Sequence, residues 1–394
     1  MPPEDEPSLV DARTYKEAYG ESLEETLDIE RWQGGSDLEA LYRKLEAEIR
    51  EAAVFERAQR EPIRREVFPR LARRPGAARG AGCYRVSLDD LRYAHRALLF
   101  NGAVEACDGT SQRYDSLPIT ITQLGVCLVS YQGDQGSWSQ RLFRRDLRAT
   151  TGKPLEDLLA LLEKRSQRGS IEVEEQSRLS MLARRGIMSY AERAVLTWKA
   201  QAPWRLGHGP PVPYELLTGS GSMELFTRSL AMLEELLLGH RKVVFVQSDT
   251  QRRHWLTIGQ ALEPLEFLVL ETIEDQLLEI ATRGHYPAQF KQQAEHFSHE
   301  VGSQVVMGVY RASAYAQPYI FYSHIDHIFE AALIALADSV LHKHRGFPLL
   351  IDLADAICRV VFGNDIFEDA IHTAYVHAGE PFRFVSERRT RARK

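Results

Sequence analysis

Four acidic residues in this chain stand where a divalent cation could be gathered: Asp108, Glu192, Glu215 and Asp355. Asp108 follows the apolar run Val104-Glu105-Ala106-Cys107 and precedes Gly109-Thr110, which reads as a buried strand ending in a carboxylate and a glycine. The glycine allows a sharp turn and leaves room beside the carboxylate for a metal ion and a phosphate. Asp-Gly is also a common turn pair, so the reading rests on context, a second strand-like run over 119–131 after a short polar loop. Glu192 lies on the amphipathic segment Ala191-Glu192-Arg193-Ala194. Glu215 precedes Leu216-Leu217 in a short apolar run read as a strand, where a carboxylate is costly unless paired or metal-bound. Asp352 and Asp355 are three apart in an apolar helical run, so they share a face, and one of them is expected to point into a polar site. Asp249, just past the strand at 242–247, is a further candidate. Phosphodiester hydrolysis uses one or two such cations to polarise the phosphate and to generate hydroxide. Magnesium and manganese want oxygen ligands, so several carboxylates must converge.

Two other groupings carry residue types that could do chemistry. Thr218-Gly219-Ser220-Gly221-Ser222 before a helix could hold an anion on backbone N–H groups, but it lacks the lysine of a phosphate-binding loop and reads as a helix entry. His324 and His327, three apart around Asp326, could share a transition metal. That site would need an upstream histidine and a paired aspartate, and no such pair stands out.

The elements that must position these residues follow from periodicity. Apolar positions Leu38, Leu41, Leu45, Ile49 and Ala52 predict a helix over 36–68, with Ser36 and Glu39 as a capping box. The Gly-, Pro- and Arg-rich stretch 73–82 reads as a loop or boundary, and a short helix capped by Ser87 follows to Leu99. Strands are expected at 103–107, 119–131, after the turn at 133–136, and at 214–217, 242–247, 265–270, 305–311 and 320–322. Helices are expected at 155–186, 187–200, 225–238, 325–342, 349–361 and 366–377. Strands alternating with helices predict an α/β fold. Residues 1–82 read as a charged, helical extension and 83–394 as the main domain.

Composition is that of an ordinary globular protein, with 44% hydrophobic and 26% charged residues and a net charge of -6. No apolar stretch is long enough to span a bilayer, and the acidic N-terminus does not read as a signal peptide. The scattered Cys83, Cys107, Cys127 and Cys358 form no CxxC pair, which predicts reduced core thiols and a cytoplasmic setting. Arginines 57, 60, 64, 65, 70, 73, 74 and 79 and the basic tail 388–394 could contact phosphates, or could form a solvated helix face and a frayed terminus.

With these residues in view, the chain resembles the NurA family of DNA-end-processing nucleases. Glu105-Ala106-Cys107-Asp108-Gly109-Thr110 is similar to the family's opening strand, which ends in Asp-Gly-Ser and supplies a metal-binding aspartate. The helix bearing Glu192, followed by Leu216-Leu217-Thr218-Gly219-Ser220-Gly221, is similar to its middle glutamate and second Asp-Gly-Ser-like strand. Gly346-Phe347-Pro348-Leu349, with Asp355 eight residues after Phe347, is similar to its C-terminal Tyr-Pro motif. Thr218 stands where the second aspartate is expected, so Glu215 would have to replace it, and Phe347 replaces the tyrosine. The resemblance implies a ribonuclease H-like mixed sheet flanked by helices. It also implies manganese- or magnesium-dependent cleavage of DNA, a homodimer, and a HerA-type hexameric ATPase as partner in DNA end processing or defence against phage. The missing aspartate leaves one alternative, a catalytically inactive subunit of the same fold that docks a motor ATPase or a DNA end.

Overall fold

The computed structural model describes residues 11–32, 38–116, 119–144, 182–249, 252–284 and 286–381, with isolated positions between 153 and 162. Ser36, most of the helix expected at 155–186 and the basic tail lie outside the described residues. The chain divides into two units, Met1–Arg60 and Glu61–Lys394. The first holds the helices α1 (Ala12–Tyr19) and α2 (Leu23–Leu27) and most of α3 (Leu38–Glu66).

The second unit is built on one mixed sheet of nine strands, in the order β1-β7-β8-β9-β6-β5-β2-β3-β4. The strands are β1 (Ala77–Arg85), β2 (Val104–Asp115), β3 (Thr120–Ser130), β4 (Gly133–Arg144), β5 (Trp204–His208), β6 (Val243–Gln247), β7 (Glu266–Thr272), β8 (Val305–Arg311) and β9 (Tyr319–His324). Only the central trio β2, β5 and β6 runs parallel, and the other pairings are antiparallel. Both faces are covered by helices. On one face pack α5 (Ile187–Trp198), α7 (Met223–Glu234), α9 (Glu274–Arg283) and α10 (Ala288–Gly302). On the other pack α4 (Leu88–Ala94), α11 (Ile328–Ser339) and α12 (Leu349–Phe362). The short helix α6 (Tyr214–Leu217) precedes α7, α8 (Arg253–Gly259) links β6 to β7, and α13 (Asn364–His377) ends the described chain.

The strand sequences explain this sandwich. In β6, Val243 and Phe245 enter the first core while Val244 and Val246 enter the second, because successive side chains point to opposite faces. A strand buried on both sides is therefore apolar throughout. The four cysteines are free thiols, three of them buried, as expected from their apolar settings. Among the described residues no helix is long and apolar enough to cross a membrane.

Four expectations need correction. The 73–82 stretch is not simply a loop: from Ala77 it forms the edge strand β1, whose Gly80 adopts a positive φ of 81° and whose register on β7 is broken between Ala77 and Gly82. The 214–217 run is helical, not a strand, with Pro213 in the N-cap position. β2 does not end at Asp108 but continues to Asp115, because its antiparallel pairing with β3 runs on to Asp115 and Thr120. The strand β5 had no counterpart in the sequence reading.

Behind the sheet lies a buried carboxylate. Asp338, on α11, is fully buried and accepts hydrogen bonds from the Tyr131 hydroxyl at 2.5 Å and the Leu350 backbone N–H at 2.9 Å. Burial pushes its pKa up to about 6, with Asp352 adding repulsion and the two hydrogen bonds opposing the rise. A carboxyl whose folded pKa lies above its unfolded value binds protons more tightly in the native state. Its contribution to stability is therefore greatest below the unfolded pKa and is lost as pH rises through about 6. Asp338→Asn, which keeps the shape and stays neutral, should gain on the native protein by about 3 kcal/mol between pH 4 and pH 7.5. Denaturant unfolding of both proteins at the two pH values checks this; a pH-independent difference would show that Asp338 carries no such penalty.

Candidate active site

The parallel trio sets the site. β2 and β5 pair in register only from Val104 with Trp204 to Cys107 with Gly207. β5 then ends at His208, while β2 runs on, held from its other side by β3. Asp108 is thus the first residue of β2 beyond the stretch paired with its parallel neighbour. Carboxyl ends of parallel strands open a crevice that backbone pairing no longer fills, and Asp108, His208 and Ser248 stand at or just past the ends of pairing on β2, β5 and β6.

Side chains converge there. His208 Nδ1 lies 3.4 Å from Asp108 Oδ1, and its Nε2 lies 2.8 Å from the Ser248 hydroxyl. The His208 ring meets the buried Phe347 edge-on at 5.6 Å between centroids. Glu192 reaches the same place from α5, passing Gly109. A Cβ at Gly109 would sit 2.6 Å from Met188 Sδ and 2.9 Å from Glu192 Oε1. Gly109 has no left-handed φ, so its value lies in the absent side chain rather than in a turn. Next to Glu192, the buried Arg193 donates to Glu192 Oε2 at 2.5 Å and to the carbonyl oxygens of His208 and Pro210 at 3.0 and 2.7 Å. Its guanidinium also lies 5.5 Å from the centre of the Phe245 ring. Arg193 therefore ties α5 to the end of β5.

The electrostatics follow from this crowding. Burial pushes the Glu192 carboxyl up to about 7; Arg193 and His208 hold it down, and Asp108 pushes it further up. Burial works against a charge on His208, but its contact with Asp108 and the negative charge of Asp108 and Glu192 outweigh that, so its pKa is raised.

Of the four acids singled out in the sequence, the structure thus brings together Asp108 and Glu192. Glu215 lies on α6 with an oxygen 4.0 Å from Arg185. Asp355 lies on α12, which touches β2 through the Cys358 thiol donating to the Asp108 carbonyl at 3.2 Å. Its own carboxylate is held by Arg359 at 2.6 Å, one turn along the helix. Asp249 directly follows Ser248, the hydroxyl partner of His208. Among the described residues no three His, Cys, Asp or Glu side chains are grouped so as to hold a metal ion by themselves.

The resemblance placed a second Asp-Gly-Ser-like strand at 216–221, but that segment is α6 and a tight turn, in which Thr218 caps the turn and Ser222 caps α7. The strand beside β2 is β5, and the residue at its end is His208, followed by Gly209. The reading of 218–222 as a helix entry matches what is seen. His324 is buried and accepts from the Asp326 backbone N–H at 3.2 Å, closing a turn. Its ring centre lies 6.3 Å from that of His327.

Gly109→Ala should displace Glu192 or Met188 and cost about 1–3 kcal/mol of stability through overpacking. Thermal unfolding measures this, and an unchanged melting temperature would mean that Glu192 is free to move aside.

No family model matches this chain, and no curated protein matches it. Among solved structures it is similar to the NurA nuclease from Sulfolobus solfataricus, with a TM-score of 0.47 and 8% identity over 86% of this chain and 98% of that one. It is also similar to NurA bound to dAMP and manganese, with a TM-score of 0.39 and 10% identity over 74% and 94% of the two chains. An endonuclease V from Ciona intestinalis in complex with an inosine-containing DNA gives 0.26 and 13%, over 66% and 85%. NurA nucleases, the family the sequence resembles, are thus among the structures to which the chain is similar.

Proposed function

We propose that this chain is a metal-dependent deoxyribonuclease with a NurA-like, ribonuclease H-like core. In this reading it hydrolyses phosphodiester bonds of DNA, as a homodimer working beside a HerA-type hexameric ATPase, in end processing or phage defence. The observation that carries the reading is the convergence of Asp108 and Glu192 where β5 ends, with His208 against Asp108. Two carboxylates buried side by side, one of them lifted to about 7, form a donor set that suits a hard cation. Asp108 and Glu192 would hold manganese or magnesium, with water and substrate phosphate completing the coordination as such ions commonly require. When bound, the ion would polarise the phosphate and lower the pKa of a bound water. His208, carrying a proton more readily than an ordinary histidine, can donate a hydrogen bond to a phosphate oxygen or to a leaving oxygen. Ser248 and Phe347 fix its ring from two sides. Arg193 orients Glu192 and keeps the pair from expelling its own charge.

Two observations favour the alternative, an inactive subunit that docks a motor or a DNA end. The Arg193 guanidinium already neutralises Glu192, and a histidine stands at the end of β5. Manganese titration of the native chain and of single variants Asp108→Asn, Glu192→Gln, Glu215→Gln and Asp355→Asn separates the readings. The nuclease reading expects saturable binding, lost in the first two variants and retained in Glu215→Gln. Loss in Asp355→Asn would add that carboxylate to the ligand set once Arg359 releases it. No binding by the native chain favours the docking subunit.

A further inference from the structure

We propose that the two loops beside Phe347 form a subsite for single-stranded DNA, in which Tyr315 stacks on an unpaired base while Lys343 and Arg345 meet the backbone phosphates. One loop, 312–318, joins β8 to β9, and the other, 340–348, joins α11 to α12. Gly346 lets them close on each other: it adopts a positive φ of 67°, and a Cβ there would lie 2.3 Å from the Ala316 Cβ. The Ser313 hydroxyl donates to the Lys343 carbonyl oxygen and accepts from the Tyr315 backbone N–H at 3.2 Å. The Tyr319 hydroxyl donates to the Arg345 carbonyl oxygen at 3.0 Å. The backbone of both loops is thus fixed while their side chains stand out. Tyr315 is 72% exposed, and Lys343, His344 and Arg345 are exposed as well.

The side chains decide what the ligand is. Tyr315 leans on His344, with ring centres 5.5 Å apart, and its high exposure leaves ring surface open to solvent. An aromatic ring held open on a fixed loop stacks on a nucleobase of any sequence. A duplex offers it none, because paired bases present only their edges in the grooves. Beside the ring, the Lys343 ammonium makes no ion pair among the described residues. The Arg345 guanidinium is about half exposed and donates to Asp352 Oδ1 at 2.6 Å, which leaves further N–H groups for a phosphate oxygen. A chain with a net charge of -6 holds a polyanion only through local cations of this kind. The loops also lead to the crevice. The Arg345 guanidinium lies 5.0 Å from the centre of the Phe347 ring, which meets His208 edge-on, and His208 reaches Asp108. A strand gripped here runs past Phe347 towards Asp108. The inference rests on the reading of that crevice as a site for DNA, and adds that the strand arrives unpaired.

Fluorescence anisotropy of a labelled oligothymidine, and of a blunt hairpin duplex of matching length, tests it on the full chain with EDTA present, so that binding is read without metal-dependent cleavage. The native chain should bind the single strand more tightly than the duplex. Tyr315→Ala should weaken single-strand binding about tenfold and leave duplex binding unchanged, while Tyr315→Phe should bind like the native chain. Lys343→Gln should lower the slope of log K against log salt by about 0.7 for the single strand. An oligothymidine carrying iodouracil should photo-cross-link to Tyr315, located by mass spectrometry of the joined peptide. Single-strand binding indifferent to Tyr315→Ala, equal native affinity for the two probes, or cross-links that avoid Tyr315 would overturn the proposal. A native chain that binds as expected yet cleaves nothing with manganese would support the subsite and count against the nuclease reading. Manganese-dependent cleavage by a chain whose binding ignores Tyr315→Ala would remove the subsite alone.

Discussion

Asp108→Ala should lower manganese-dependent cleavage of linear DNA by on the order of a thousandfold while leaving the chain folded. The expectation comes from the place of Asp108 in the sheet. It is the first residue of β2 past the stretch paired with β5, so its carboxylate opens into the crevice while its backbone stays locked to Cys127 on β3. Removing that carboxylate takes away one of the two acids that act on each other in the crevice without taking away the strand. A second readout is independent of turnover. Asp108 is one of the groups that push Glu192 up to about 7, so the variant should titrate Glu192 at a lower pH, which carboxyl-labelled NMR can follow. Undiminished cleavage by the variant would place the chemistry elsewhere.

Arg193→Met should be the most destabilising single change in the site, by about 3–5 kcal/mol, because it strands a buried carboxylate. Arg193 is only 3% exposed and makes three contacts that no neighbour can replace: Glu192 and the carbonyls of His208 and Pro210. Losing it frees the end of β5 from α5 and leaves Glu192 facing Asp108 without its nearest cation. Below about pH 7 Glu192 can relieve that repulsion by taking a proton. The loss measured by denaturant unfolding should therefore be smaller at pH 5.5 than at pH 8. A loss below about 1 kcal/mol at both pH values would mean that the ion pair holds nothing together.

Several parts of this arrangement were legible in the sequence. The run Val243–Gln247 is apolar at every step through Val246, which only a strand buried on both faces requires. Asp108 stood out at the end of an apolar run and Glu192 on an amphipathic helical segment, and the fold brings the two together. Other parts were not. Trp204-Arg205-Leu206-Gly207-His208 is short and carries Arg and Gly, so its alternation of Trp204 and Leu206 is too brief to signal a strand. Gly207 was the available clue: a Cβ there would lie 2.3 Å from Phe245 Cε1, the close approach that an isolated strand glycine marks. With β5 not in view, the second motif of the resemblance was placed at 216–221, a segment that is a helical turn followed by a tight turn. The run Tyr214–Leu217 misled for a related reason. Four apolar or amphipathic residues fit a buried strand as well as one helical turn, and Pro213 before them was the helix-start signal that should have decided it. The length of β2 was hidden because Gln112 and Arg113 read as a polar loop, whereas in the fold they pair with Gln123 and Thr122 on β3.

The central claim is that the Asp108–Glu192 pair serves metal-dependent hydrolysis of DNA. Its most direct test is the initial rate of cleavage of linear duplex DNA by the native chain as manganese is raised, alone and with a HerA-type ATPase. A rate that is absent without the ion and saturates with it is the predicted result. No cleavage at any manganese concentration under either condition, from a chain shown to be folded, would contradict the account.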